Sequence, residues 1–369
     1  MIKRIGYYVF AMFFTLFRIV PVNRNKIFLI ATHDESDEGN IELMVQYIKE
    51  HRQGCRFVYL TKEDGIHRPL SFFFQKAFHM ATAGVIMMDN VFMPMAYTPI
   101  SKKVCVVQLW HGTGTIKKFG LDSDPEAVKK VSSKANGRIT ILPVNGEKTK
   151  RQYQSAFGVD ESRIYVTGLP RTDLIMNQAQ MAEREENFYR QYPGYAKKSI
   201  TLYAPTFRDA EGTNPTLGLD LDAYYEQMEE DEILFLRLHP HVAAHFDDQV
   251  LNKYHGKVVN MSHYPGVTTL LVVSDKLVTD YSSIAFEYAL MNKPMFFYAY
   301  DLDEFEKNGR SFYEDYRKEV PGLVCQTQED LQIQLKKAPK EVAQSQFLKE
   351  NYLYVDGNAR KRLFQLIFQ

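Results

Sequence analysis

The sequence predicts an α/β protein of two successive lobes, each a parallel sheet with crossover helices. Three observations carry this. The chain has 369 residues, enough for two domains. Short apolar runs of strand length alternate with helical patterns along most of it. The alternation stops in the polar, charged stretch 178–192, which ends at Pro193-Gly194, and then restarts.

Lys26–Ala31 (KIFLIA) reads as a strand that opens into the polar loop His33-Asp34-Glu35-Ser36. Ile41–Glu50 has helical spacing. Arg56–Leu60 reads as a strand, Leu70–Met80 as a helix and Gly84–Met88 as a strand. Val104–Leu109, Ile139–Val144 and Arg163–Val166 read as further strands. After the break, Ser199–Ala204, Ile233–Leu238, Lys257–Asn260, Lys276–Thr279 and Pro294–Tyr298 read as strands, and Ser283–Met291 as a helix. Near-continuous apolar strands separated by helices imply parallel sheets. The expected organisation is a first Rossmann-like lobe over 25–190, a second over 195–350, a cleft between them and a C-terminal helix over 351–369. Ligands of such sheets bind beyond the carboxyl ends of the strands.

Forty-five basic residues balance forty-five acidic ones, so net charge does not mark a nucleic-acid binder. Three isolated cysteines, Cys55, Cys105 and Cys325, form neither a disulfide framework nor a zinc pattern, which suits a reducing compartment.

The N-terminus differs from the rest. Lys3-Arg4 precedes the apolar run Ile5–Phe17, Arg18, Arg24 and Lys26 follow, and no acid appears before Asp34. A spanning helix needs about 20 apolar residues, and Arg18 interrupts this run too early. The preferred reading is a helix over 1–24 lying in a membrane interface, apolar side down, with its cations facing anionic headgroups. A helix packed into the first lobe and a cleaved signal peptide are the alternatives.

Four segments that follow predicted strands could carry chemistry. In Leu109-Trp110-His111-Gly112-Thr113-Gly114, His111 is placed like a general base, since an imidazole is substantially neutral at about pH 7. Gly112 and Gly114 would let a ligand approach the backbone, Gly112 and Thr113 are candidate acceptor or phosphate contacts, and Lys117 and Lys118 could meet an anion; otherwise this is a tight turn with a hydrogen-bonded histidine. In Tyr203-Ala204-Pro205-Thr206-Phe207-Arg208-Asp209, Arg208 offers a cationic fork for phosphate, or else pairs with Asp209 on the surface. In Arg237-Leu238-His239-Pro240-His241, His239 could contact a nucleotide phosphate; a metal cluster with His241 and His245 lacks ligand spacing. In Val278-Thr279-Asp280-Tyr281-Ser282-Ser283, a hydroxyl-rich turn opens a helix, an anion-site layout. Glu287 lies one turn further, able to take a ribose hydroxyl or to complete an ordinary cap. Tyr300-Asp301-Leu302-Asp303 has the look of a metal-binding acid pair but is taken as a loop or helix start. No metal and no cofactor are expected.

Together these segments, with Gly168-Leu169-Pro170-Arg171-Thr172-Asp173 and Lys293-Pro294, stand in the order typical of the CDP-glycerol glycerophosphotransferase family, and the chain resembles that family over roughly residues 25–350. The resemblance implies a GT-B-like fold with the nucleotide on the second lobe. It implies transfer of glycerol phosphate from CDP-glycerol to a hydroxyl of an undecaprenyl-pyrophosphate-linked disaccharide, releasing CMP, at the cytoplasmic face of a Gram-positive membrane. The histidine matching His111 is then the base, and His239, Thr279, Ser282 and Ser283 contact the donor phosphates; Asp280 belongs to the same motif. With no clear metal site, stabilisation of charge falls to Arg208, His239, the Ser282-Ser283 turn and Lys117 or Lys118. Between Ser101 and Arg151, eleven Lys/Arg against four Asp/Glu suit an anionic lipid and a pyrophosphate-linked acceptor. The short chain favours a priming role over polymerisation. Glycerol or ribitol phosphate extension of a primed chain, a GT-B sugar transferase and a non-catalytic nucleotide-binding membrane scaffold are the rivals; a homo-oligomer is compatible with any of them.

Overall fold

The computed structural model describes residues 2–34, 36–208, 217–308 and 311–369. Asp209 and Glu35, and the side chain of Lys3, lie outside that description. The chain forms two compact units: one of residues 1–114, 118–174 and 350–369, the other of 115–117 and 175–349.

The first unit holds β1 (Asn23–Ile30), β2 (Arg56–Leu60), β3 (Ala83–Met88), β4 (Cys105–Gln108), β5 (Leu142–Val144) and β6 (Ile164–Val166). The first four make a parallel sheet in the order β2-β1-β3-β4. A parallel bridge, Val107 to Ile141, continues it towards the parallel β5-β6 pair. Side chains alternate along each strand. Phe28, Ile30, Ile86, Met88 and Val106 face one core, which includes Phe10, Phe14, Ala77 and Met80. Ile27, Leu29, Val85, Met87 and Val107 face another, with Met44, Val45 and Ile48 of the helix Asn40–His51 and Leu363 of the helix Ala359–Phe368. Both faces are covered, which is why these strands read as unbroken apolar runs.

The C-terminal helix is therefore part of the first unit. Asp173 fixes its start: its carboxylate accepts the backbone N–H groups of Ala359 and Arg360, each at 2.8 Å.

The second unit holds β7 (Ser199–Ala204), β8 (Glu232–Leu236), β9 (Val258–Asn260), β10 (Lys276–Thr279), β11 (Met295–Tyr298) and β12 (Leu323–Cys325). They form one parallel sheet in the order β12-β11-β10-β7-β8-β9. The division between units falls at 174/175, before the polar helix Gln178–Gln191 rather than after it. That helix is polar on all but one side, yet it commits to the second unit through Phe188, which is fully buried and meets Phe235 of β8 at 6.0 Å.

In both sheets the first strand has later strands on either side, so the order reverses beside it, between β1 and β3 and between β7 and β10. Those are the points at which α/β sheets open a crevice for ligands.

The helix Ile2–Phe17 divides its apolar residues between two sides. Its apolar residues do not share one membrane-facing side. Phe10 and Phe14 are buried in the first unit, while Ile5, Tyr8, Met12 and Leu16 are exposed along the other side. The expected helix Leu70–Met80 begins instead with a π-helical stretch, Ser71–Lys76, before Ala77–Ala81. The wider turn lets neighbouring phenylalanines reach the N-terminal helix, Phe72 meeting Phe10 at 5.0 Å and Phe74 meeting Phe13 at 4.1 Å. Among the described residues no helix is long and apolar enough to cross a membrane.

The two sides of this helix separate in a stability experiment. Phe10→Ala should cost about 3–5 kcal/mol in chemical denaturation, as expected for a buried phenylalanine. Leu16→Ala should change stability by no more than about 0.5 kcal/mol, as at an exposed position. Similar small losses for both would show that the helix is not a core element.

Candidate functional site

Loops after β1, β3 and β4 meet at the carboxyl end of the first sheet, joined by Asp89. The Asp89 carboxylate is buried and accepts the backbone N–H groups of Thr32 (3.0 Å), His33 (3.1 Å) and Asp34 (3.0 Å). Its own backbone carbonyl lies 2.9 Å from His111 Nδ1. A carbonyl can only accept, so Nδ1 carries the proton and Nε2 keeps its lone pair. Nε2 has no hydrogen-bond partner among the described residues.

The turn that presents His111 is unusual. Trp110 adopts φ +54°, in the left-handed region that non-glycine residues rarely visit. In an extended strand Trp110 and His111 would point to opposite sides; the turn instead brings their rings to 4.0 Å. Gln108 Oε1 accepts the Trp110 N–H at 2.9 Å, and Asn40 Nδ2 donates to the Trp110 carbonyl at 3.1 Å. The indole packs on Phe119 and Phe157 at 5.2 and 5.1 Å. His33 stacks on His111 at 3.5 Å with the planes 14° apart.

A second set of contacts ties this end of the sheet to Arg171. Its backbone N–H donates to Asn40 Oδ1 at 3.0 Å, its Nε to the Glu38 carbonyl at 3.1 Å, and its guanidinium pairs with Asp34. Burial alone would raise the Asp34 carboxyl, but Arg171 and the Ser36 hydrogen bonds outweigh it and hold it below the usual range. His111 is pushed down to about 3, first by burial, then by the charge of a protonated His33; the bond to Asp89 opposes this. It is therefore neutral at physiological pH. His33 is also lowered, chiefly by burial.

Thr113, expected as a ligand contact, is buried, and its carbonyl accepts from Asn145. Gly112 is buried as well, its carbonyl taking the Tyr153 hydroxyl at 3.0 Å. Lys117 and Lys118 are divided: Lys118 belongs to the first unit, whereas Lys117 forms an antiparallel bridge with Phe312 in the second.

The second sheet has its own cluster where β7 and β10 lie side by side, and it assigns Arg208 a different job from the one expected. Arg208 Nε and Nη2 grip both oxygens of Asp301 at 2.7 and 3.0 Å. Its Nη1 donates to Asp280 Oδ2 and to the Thr206 carbonyl, each at 2.7 Å. Burial opposes the charge, but Asp280 and Asp301 outweigh it and hold Arg208 more firmly protonated than an ordinary arginine. Four of the five donors a guanidinium owns are thus committed within the unit, which makes Arg208 a clamp on the loops rather than an open phosphate fork. The same bonds use up Asp301, and Asp303 lies 3.6 Å from Arg317.

Asp280 is buried, its Oδ1 accepting the backbone N–H groups of Thr206 (2.8 Å) and Tyr281 (2.6 Å). The Thr279 hydroxyl is also buried and donates to the Ala204 carbonyl at 2.7 Å, so it ties β10 to β7 rather than facing a donor. Ser282 and Ser283 are half-buried; Ser282 Oγ accepts the Ile284 N–H at 3.3 Å, while the Ser283 hydroxyl makes no cap bond. Glu287 is buried inside the short helix Ile284–Ala289.

His239 is exposed, and its Nδ1 accepts the His241 backbone N–H at 3.3 Å. That bond leaves the proton on Nε2, the opposite arrangement from His111. His239 stacks on Phe207 at 5.4 Å, and both line an open pocket of about 330 Å³ with Thr206, Arg208, Leu217 and Tyr300. Gly218 shapes its wall: a Cβ there would stand 2.0 Å from the Tyr300 ring. Ser282 and Ser283 do not line this pocket.

Within the first unit, then, the structure adds His33, Asp89, Asn40 and Arg171 to His111. Position gave the signal for two of them, since Asp89 directly follows a predicted strand and His33 lies two residues beyond one. Among the described residues no group of three or more His, Cys, Asp or Glu is arranged to hold a metal.

Residues 12–369 match the family CDP-Glycerol:Poly(glycerophosphate) glycerophosphotransferase. The chain is 31% identical over its whole length to the teichoic acid poly(ribitol-phosphate) polymerase of Bacillus spizizenii and spans 60% of that protein's length. It is 26% identical to the teichoic acid glycerol-phosphate transferase of Staphylococcus aureus, covering 96% of both chains. Its fold is similar to that of the wall teichoic acid polymerase TagF, with a TM-score of 0.82 and 24% identity, covering 99% of this chain and 95% of the other. The match over nearly all of the chain establishes that this protein belongs to the CDP-glycerol:poly(glycerophosphate) glycerophosphotransferase family.

Proposed function

We propose that this protein transfers glycerol phosphate from CDP-glycerol to a hydroxyl of an undecaprenyl-pyrophosphate-linked disaccharide, as a priming step in wall teichoic acid synthesis. One observation carries the chemistry: the two histidines singled out from the sequence are held as opposite tautomers. His111 keeps a bare Nε2, and His239 carries its proton on Nε2. The first suits a base and the second suits a donor to phosphate oxygen.

In the proposed step His111 Nε2 takes the proton of the acceptor hydroxyl. The freed oxygen bonds to the phosphorus that carries glycerol. The bond from that phosphorus to the bridging oxygen breaks, and CMP leaves with the electron pair. His239 and the hydroxyls of Ser282 and Ser283 hold the donor and meet the charge that develops on it. Arg208 and Asp280 support this indirectly by fixing the loop after β7 to the turn that leads into Ser282 and Ser283.

A second reading is ribitol phosphate transfer or chain extension, favoured by similarity along the whole of this chain to 60% of a poly(ribitol-phosphate) polymerase. Mass analysis of a synthetic lipid-linked disaccharide incubated with CDP-glycerol or CDP-ribitol separates the two. One added glycerol phosphate supports priming, a ladder supports polymerisation, and product only from CDP-ribitol supports the second reading. Product without added phosphorus would point to a sugar transferase, and donor binding without CMP release to a scaffold.

The same reading places the protein on the cytoplasmic surface of a membrane. Its support is the exposed apolar line Ile5, Tyr8, Met12 and Leu16, extended by exposed Ile19, Leu70 and Phe74 and accompanied by Arg4, Arg18 and Arg24. Because Phe10 and Phe14 belong to the core, deleting the helix would damage the fold, so the test uses surface changes. Met12→Glu with Leu16→Glu should reduce binding to anionic liposomes at least about tenfold while leaving thermal stability near wild type. Binding insensitive to both the substitutions and the lipid charge would remove the membrane assignment.

His111→Ala should lower kcat by roughly 10²–10⁴-fold, the usual contribution of a general base, with the Kd for CDP-glycerol near wild type by calorimetry. A variant that turns over at the wild-type rate would refute the assignment of the base.

A further inference from the structure

We propose that His33 is the positioning residue for His111: its imidazole, stacked at 3.5 Å and 14° on the His111 ring, fixes the plane in which Nε2 faces outward. This rests on His111 being the base. The contact is not incidental, because Asp89 holds both residues, His111 by its ring and His33 by its backbone. The Asp89 carbonyl takes His111 Nδ1–H, and the Asp89 carboxylate takes the His33 backbone N–H. A hydrogen bond at Nδ1 alone leaves the imidazole free to swing about that bond. Trp110 on one contact and His33 on the other remove that freedom.

The pair also has an electrostatic consequence. Two imidazoles in van der Waals contact cannot both carry charge at low cost, so they titrate as a coupled pair. The charged groups that face them are Asp34 and Asp89, Arg171 from the helix Pro170–Met176, and Lys62. Burial lowers both rings, His111 further than His33. As pH falls His33 takes the first proton, and its charge then resists protonation of His111. The base stays neutral to lower pH than it would alone. Activity that needs the neutral base is lost as pH drops through the His111 pKa, so removing the rival charge moves that loss to higher pH.

Two substitutions separate plane from charge. His33→Ala removes both and should lower kcat about 10-fold or more, within the roughly 10²-fold that a 1 Å misplacement can cost, with little change in KM for the donor. His33→Phe keeps a stacking ring without charge. It should recover part of the lost kcat yet shift the acid limb of kcat/KM to higher pH. The second readout needs no turnover: the rate at which diethyl pyrocarbonate acylates His111, followed by peptide mass analysis across pH. Its acid midpoint should rise in His33→Phe relative to wild type. Unchanged kcat in His33→Ala, or an unchanged acylation midpoint in His33→Phe, overturns the proposal. If no transfer activity is found with any donor, the acylation profile still tests the stack, so failure of the assigned function and failure of the His33 role are told apart.

Discussion

The buried carboxylate of Asp89 is the constraint on which the first unit's chemistry depends. It gathers three backbone N–H groups from the loop after β1, and the same residue's carbonyl sets the tautomer of His111. A buried carboxylate is costly unless its oxygens are satisfied, and here the groups that satisfy it are those that place His33 beside His111. Folding the loop and arming the histidine are one event.

The second unit uses the same device. Asp280 directly follows β10, as Asp89 directly follows β3, and each accepts a backbone N–H from the loop after the neighbouring central strand, Thr206 in one case and Thr32 in the other. Both acids stand where strand order reverses, where the loops diverge and would otherwise leave backbone donors without partners. The difference lies in what is added. Asp280 shares Arg208 with Asp301, producing an ionic clamp, whereas among the described residues Asp89 pairs with no cation and is held by main-chain N–H groups and the Thr32 hydroxyl. The clamp is sensitive to truncation on either side, since removing one member leaves a buried charge behind.

Much of the fold was legible because parallel strands covered on both faces must be apolar at nearly every position. KIFLIA, VCVVQL and SITLYA could hardly be anything else. Long-range allegiance was not legible. Nothing in the local pattern of 359–368 says that Asp173 caps that helix, and nothing in that of 178–191 says that Phe188 and Arg184 tie it to Phe235 and Thr269 of the second unit. The same limit applied to the site. His111 stood out because a histidine beside glycines after a strand is a distinctive pattern. Arg208 and Thr279 also stood out, but residue type cannot distinguish a side chain that faces a ligand from one that locks a loop: Arg208 turned out to hold two carboxylates and Thr279 a neighbouring strand. His33 was passed over as one histidine in a polar loop, since stacking across 78 positions of sequence leaves no local trace.

The most direct measurement is the ¹⁵N spectrum of the His111 ring in the intact protein at neutral pH, assigned by comparison with His111→Gln. A neutral ring with its proton on Nδ1 and an unprotonated Nε2 is the expected result. A ring that is charged at neutral pH, or that carries its proton on Nε2, would contradict the assignment of His111 as the base.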